Sequence, residues 1–290
     1  MALIVVMPGM GDMEDQSAQQ HRPVHARQKN GPQTVRHDPV SAPSKVCVIF
    51  AAGEYFGQDA EVPRGAYVIA ADGGFDHCQS QRIHADMVMG DFDSISAEIP
   101  DDTESLHVPA EKDLTDTASA VTLGWDRGCR EFHIYGSLGG RLDHSIANLQ
   151  LLAGLANHGG IGFLHGDGVS VTAIRNGSLA FPAFPCGERT MVSVFSSTDV
   201  STGVNELGLK YFLDDASLTN DRANAVSNEF ISDTASKISV ASGTLLVTFA
   251  SAAPSPQWST KVAQDTTFDT ISTQVTEALN TRENKNAHHV

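Results

Sequence analysis

From residue 45 to about residue 165, short apolar runs alternate with stretches whose apolar residues recur at helical spacing. The runs are KVCVIFAAG (45–53), AYVIAADGG (66–74), ADMVMGDFD (85–93), SLHVP (105–109), EFHIYGSLGG (131–140) and IGFLHG (161–166). Strands followed by helices in this order predict a mostly parallel sheet covered by helices. One helix starts after Asp113, with Leu114, Ala118, Val121 and Trp125 on one face and Gly128 as its stop. A second starts at Asp143, with Ile146, Leu149, Leu152 and Leu155 on one face and Gly159 as its C-cap. Beyond about residue 166 the runs TMVSVFSS (190–197), KISVAS (237–242) and TLLVTF (244–249) are short, β-branched and partly alternating, and ASGT (241–244) reads as a hairpin turn between the last two.

These patterns divide the chain. Residues 1–44 mix Pro, Gly, Gln and His, and the first aromatic residue is Phe50, so this lead has too little to bury and is expected to be disordered. An α/β domain over 45–165, mostly parallel and Rossmann-like, precedes an antiparallel all-β sandwich or barrel over 166–250. Residues 251–290 read as a flexible tail, a linker followed by a turn or two of amphipathic character.

Composition narrows the partners. The 290 residues carry 35 acidic and 19 basic side chains, a formal net charge of −16, which opposes binding to a phosphate backbone, so no nucleic-acid partner is expected. The four cysteines are far apart and form no C-x-x-C pair, as expected for reduced thiols in a cytoplasmic protein. The apolar start, Ala2 to Met7, lacks a basic flank and is too short for a signal peptide, and nothing approaches the roughly 20 apolar residues of a membrane span.

The acidic excess is concentrated. Residues 86–116 hold ten acidic side chains and one lysine, Lys112, a distribution that favours a cation. In an α/β sheet, ligands bind beyond the carboxyl ends of the strands. Four clusters fall there: Asp72–Gly73–Gly74, Gly90–Asp91–Phe92–Asp93–Ser94, the KDLTD stretch Lys112–Asp116, and GSLGGRLDH from Gly136 to His144. In an extended segment Asp91 and Asp93 project from one face, and converging carboxylates without a basic partner suit Mg²⁺, although Asp also favours turns and caps. With Asp113 as N-cap, Thr115 and Asp116 fall at N2 and N3, and the same helix start offers N–H groups to a phosphate beside Lys112. Gly139 and Gly140 permit close backbone approach, and Arg141 can fork onto phosphate oxygens. Asp143 suits the start of the next helix, where His144 reads as structural.

Taken together and in order, DGG (72–74), GDFDS (90–94), KDLTD (112–116), GGRLDHSIANLQLL (139–152), GLKYFL (208–213) and SNEF (227–230) resemble the thiamine pyrophosphokinase family. The resemblance implies transfer of a diphosphoryl group from ATP to the hydroxyl of thiamine, with Mg²⁺, in a homodimer whose site lies between one subunit's α/β domain and the partner's β domain. By that resemblance Asp72, Asp91, Asp93 and Asp113 or Asp116 hold the metal and phosphates. Gly73 belongs to the same nucleotide site, Lys112, Thr115 and Arg141 contact phosphate, Asp143 helps close the site, and Ser227 and Asn228 meet thiamine. Phe212 departs from the family pattern, where proline is common. Asp113, Asp116 and Asp143 are all open as acceptors of the hydroxyl proton. Two alternatives compete: an aspartyl-phosphate phosphatase of the haloacid-dehalogenase type with Asp91 as nucleophile, against which Ile95 stands where that signature has Thr or Val, and a non-catalytic thiamine- or nucleotide-binding protein.

Overall fold

All six apolar runs of the first half become strands, and in all but the exposed edge strand the residues alternate between two covered faces. In the computed structural model, which describes residues 45–57, 60–93, 95–100, 103–109, 113–187 and 190–271, these are β1 (Lys45–Phe50), β2 (Tyr67–Ala71), β3 (Met87–Gly90), β4 (Glu104–His107), β5 (Cys129–Tyr135) and β6 (Ile161–His165). They lie parallel in the order β6-β5-β1-β2-β3-β4. Cys47, Ile49, Ile69, Met87, Met89, Phe132 and Ile134 enter one core with Trp125, Leu152 and Leu155. Their strand neighbours Val48, Phe50, Val68, Ala70 and Val88 enter another, with Phe75 and Cys78. Burial on both faces is what makes such strands read as continuous apolar runs. The helices are α1 (Gly74–Ser80), α2 (Asp116–Asp126) and α3 (Leu142–Asn157).

The second half supplies β7 (Val169–Arg175), β8 (Gly177–Phe181), β9 (Met191–Ser196), β10 (Val200–Leu207), β11 (Leu213–Thr219), β12 (Ala225–Glu229), β13 (Ser236–Ser239), β14 (Thr244–Ala250) and β15 (Gln257–Thr260). It is antiparallel within itself, but it is not a separate sheet system. β7 pairs antiparallel with β6, so that one ten-stranded sheet runs β12-β9-β14-β7-β6-β5-β1-β2-β3-β4 across both halves. A second sheet, β11-β10-β13-β8-β15, shares an apolar core with the antiparallel end of the first, built from Phe163, Ile174, Leu179, Phe181, Val192, Val204, Ile238, Leu245 and Val247.

Four sequence expectations change. ASGT is no hairpin turn: β13 and β14 belong to different sheets, and the chain crosses between them at Gly243, whose φ of +113° and packing against Ser201 admit only glycine. Helix α2 starts two residues later than expected, because Thr115, not Asp113, caps it, its hydroxyl oxygen accepting from the Ala118 N–H at 3.2 Å. Ile146 lies 49% exposed on α3, leaving Leu152 and Leu155 to enter the core. Finally, residues 251–271 are not loose. β15 pairs with β8, the Trp258 indole N–H donates to Glu131 at 2.8 Å, and Phe268 packs on Trp125 with ring centres 5.4 Å apart. The expected disordered lead, residues 1–44, and the end of the tail from residue 272 lie outside the described residues.

Candidate active site at the carboxyl ends of the parallel strands

Strand β2 ends at Asp72, which turns into the left-handed region at φ +47° and donates its N–H to the Met89 carbonyl at 2.8 Å. Its carboxylate lies against the α-carbon of Gly90 at the end of β3: a Cβ added at Gly90 would stand 1.5 Å from Asp72 Oδ1. That glycine, with φ +147°, is the cradle in which the Asp72 carboxylate sits. Gly73 follows as the N-cap of α1.

The segment after Gly90 is not extended, as the sequence suggested. Phe92 takes φ +65°, so residues 91–93 turn, and the Asp93 N–H donates to Asp91 Oδ1 at 3.1 Å. The turn still gathers the carboxylates. Asp93 binds its proton more tightly than usual, first through a side-chain hydrogen bond shared with Asp91, then through Asp91's charge, with a smaller push from Asp116 at the start of α2. Asp91, Asp93 and Asp116 thus share one negative field. The backbone N–H groups of Ser96 and Ala97 donate to Asp76 of α1, which ties down the loop that follows, a contribution the sequence reading missed.

After β5 the glycine turn forms as expected, with Gly136, Gly139 and Gly140 at φ +66°, +88° and +58°. Two features hold it. The buried Asn148 side-chain amide donates to the Ser137 carbonyl at 2.7 Å, and the loop after β1 packs so closely that a Cβ on Gly139 would meet the Glu54 carboxylate at 2.7 Å. Glu54 also escaped the sequence reading, although it follows an apolar strand at the same edge as the other acids. Arg141 forks onto Asp143, Nη2 to Oδ2 at 2.6 Å and Nε to Oδ1 at 3.2 Å, and both side chains are exposed. The guanidinium lowers the Asp143 carboxyl below the usual range, and the carboxylate in turn raises Arg141. Asp113 is exposed just ahead of Thr115, and Lys112 lies outside the described residues.

Ser227 and Asn228 do not join this group. They sit on β12, an edge strand of the ten-stranded sheet, eight positions from β3 and five from β5, whose end carries Arg141. At about 4.8 Å per strand these are spans of about 38 Å and about 24 Å along the sheet. Asn228 is buried and its amide is fully used within the protein: Nδ2 donates to Glu206 Oε2 at 2.6 Å and the Tyr211 carbonyl at 2.8 Å, while Oδ1 accepts from the N–H groups of Tyr211 and Glu229 at 3.0 and 2.9 Å. An amide has two donors and two acceptor sites, so none is left for a ligand. Ser227, at φ +65°, is only partly buried.

Among the described residues no three His, Cys, Asp or Glu side chains already stand at metal-ligating spacing. The donor set nevertheless fits a hard divalent cation. It is all carboxylate, it carries no base within the turn, and Mg²⁺ commonly takes one or two carboxylates and completes its shell with water and phosphate oxygens. A groove of about 440 Å³ on the second sheet, lined by Lys237, Lys261 and Ser239 among others, includes none of these acids, and its place in the fold gives it no part in this chemistry.

A carboxylate cluster, a glycine turn and an arginine at the ends of parallel strands define an α/β enzyme site for an anionic substrate. Comparison with known proteins gives the particular family. The thiamin pyrophosphokinase catalytic domain matches residues 61–161 and the thiamin pyrophosphokinase vitamin B1 binding domain matches residues 184–245, together more than half of the chain. The chain belongs to the thiamin pyrophosphokinase family, and its activity is the ATP-dependent formation of thiamine diphosphate. Solved structures share the fold. A thiamin pyrophosphokinase family protein from Enterococcus faecalis matches at 27% identity and TM-score 0.60, over 71% of this chain and 99% of its own. Thiamine pyrophosphokinase from Bacillus subtilis matches at 21% identity and TM-score 0.63, over 71% of this chain and 99% of its own. The yeast enzyme matches at 11% and 0.54, over 73% and 88%. No curated protein sequence matches. Neither the phosphatase nor the non-catalytic alternative finds support in these comparisons.

Proposed function

We propose that the chain works as a homodimer, in which the acidic edge of one copy and the Ser227 edge of the other enclose one ATP and one thiamine. The observation that carries this reading is the eight-strand separation of β3 from β12 within one chain. Apolar side chains suited to burial by a partner are exposed in both regions: Leu142 and Ile146 on α3 beside Arg141, and Phe212 and Ile231 near Asn228. On this reading residues 45–165 act as a Rossmann-like ATP-binding domain, and residues 166–250 as a thiamine-binding β domain. The core shared by the two sheets favours a sandwich over a barrel.

Asp72, Asp91, Asp93 and Asp113 or Asp116 would hold Mg²⁺, with Asp72 aimed by Gly90. When bound, the ion neutralises phosphate charge and polarises the phosphoryl group under attack. Arg141, Lys112 and Thr115 would bind phosphate oxygens, with Gly73 beside the same nucleotide, and the exposed Arg141–Asp143 pair can open to do so at little expense. Catalysis is then mostly positioning and charge neutralisation, as in other phosphoryl transfers. Asp113, Asp116 and Asp143 are the carboxylates that can take the hydroxyl proton, and Arg141 holds the Asp143 carboxyl below the usual range while the two stay paired. Thiamine is a cation and is attracted to this edge. Free cysteines suit a reducing cytoplasm, and among the described residues no helix is long and apolar enough to cross a membrane.

The shared site is tested by complementation. Asp91→Asn and Ser227→Trp chains, each inactive alone, should regain about a quarter of wild-type activity when co-expressed in equal amounts, because half the dimers are mixed and each mixed dimer keeps one intact site. No recovery, with mixed dimers shown to form, would place both edges in one chain's site.

A further inference from the structure

Glu206 is a buried acid that the chemistry above does not use. It lies on β10 with 2% of its surface exposed, its Oε2 accepts from Asn228 Nδ2 at 2.6 Å, and its Oε1 is buried with no hydrogen-bond partner. The contact matters through Asn228, whose amide clamps both backbone groups of Tyr211 and so joins β12, in the large sheet, to residues 208–212 leaving β10 in the small one. An asparagine amide can flip, exchanging its oxygen and nitrogen. Only the orientation seen here meets both Tyr211 groups and the Glu229 N–H, and Glu206 reinforces it by accepting the second Nδ2 proton.

We propose that Glu206 is a positioning residue for thiamine: by fixing the Asn228 amide it holds residues 208–212 beside Ser227 in the arrangement that receives the substrate. The inference rests on the thiamine-binding reading of this half of the chain. Burial pushes the Glu206 carboxyl up to about 7, and the Asn228 hydrogen bond pulls it the other way. The residues opposite Glu206 on β11 and β13 are Leu213 and Ile238. The charged groups on the packed elements are Asp214, Asp215 and Lys237, all exposed, and Glu229, which is ion-paired to Lys210, so no buried cation stands by to stabilise an ionised Glu206. The Asn228 hydrogen bond favours the ionised form, in which the carboxylate is an acceptor only.

The test is the KM for thiamine of the full chain at saturating ATP and Mg²⁺ between pH 6 and pH 8. Glu206→Gln, which keeps an acceptor for Asn228, should stay within about twofold of the wild-type thiamine KM at every pH, and Glu206→Met, which has no acceptor, should raise it about tenfold, with the KM for ATP and kcat little changed. A Glu206→Met protein with the wild-type KM, or a Glu206→Gln protein whose thiamine KM rises as far as that of Glu206→Met, overturns the proposal. A wild type that never turns over thiamine would instead sink the substrate reading on which this one stands.

Discussion

Asp91 disfavours the charged form of its neighbour Asp93, and the turn at Phe92 keeps them together all the same. Removing one of them relieves repulsion. Asp91→Asn is therefore expected to lower turnover by about a hundredfold or more while leaving the melting temperature at or above the wild-type value. Gly90→Ala should act more broadly, because its Cβ and the Asp72 carboxylate claim the same space and φ +147° strains any other residue. A turnover loss of about tenfold to a hundredfold with secondary structure retained by circular dichroism is the expected result, and an active, unstrained alanine variant would deny Asp72 its role.

Buried ionisable groups make a further prediction at this scale. Glu206 has a folded pKa near 7, above its unfolded value, so its contribution to stability is fully present below about pH 4.5 and is lost as pH rises to about 7. At about 1.4 kcal/mol per pH unit this amounts to about 3 kcal/mol. His165 works in the opposite sense: burial, helped by the charge of His133, lowers it to about 3, so its contribution is present above about pH 6.5 and is lost as pH falls towards 3. Urea unfolding of the wild type and Glu206→Gln across pH 4 to 8 separates the two. The difference between the proteins should change by up to about 3 kcal/mol between pH 4.5 and 7 and stay constant above it.

Among the elements, the parallel strands were the most legible. Their apolar runs are covered on both faces, and no other arrangement buries Ile49 and Val48, or Met89 and Val88, in opposite directions at once. The acids at their ends could be placed for the same reason, since a strand's end fixes where the next residues emerge. What the sequence did not disclose were pairings set by distant partners. Nothing local in KISVASGTLLVTF shows that its two strands belong to different sheets, a choice made by contacts of β13 with β8 and β10. The segment from 251 reads as a linker because its anchors, Trp258 and Phe268, are isolated among polar residues, and each finds its partner more than a hundred positions earlier, at Glu131 and Trp125. The prediction at this scale concerns Phe268. Its truncation to alanine opens space against Trp125 and His158 and should cost about 2 kcal/mol in chemical denaturation, with kcat unchanged, because the contact lies among the helix-side packing and not at the acidic edge. A variant as stable as the wild type would mean that this strap adds nothing to the core.

At the scale of the whole molecule, continuity of the sheet decides what a single chain can do. A division into two domains suggests a cleft between them. One sheet running through both halves instead sets the acids and Ser227 far apart, and on the proposed dimer reading a second copy completes the site. The motifs name candidate residues, whereas the strand order shows how far apart they lie within one chain. The concentration of acid around residues 86–116 in a chain of net charge −16 fits the same account, since a divalent cation and cationic thiamine both bring positive charge to it. The most direct test of that account is a phosphorus NMR time course of the purified protein with ATP, Mg²⁺ and thiamine. Diphosphoryl transfer predicts AMP and thiamine diphosphate growing in equal amounts, with no turnover when Mg²⁺ is withheld. Accumulation of ADP or inorganic phosphate, or spectra that do not change, would contradict it.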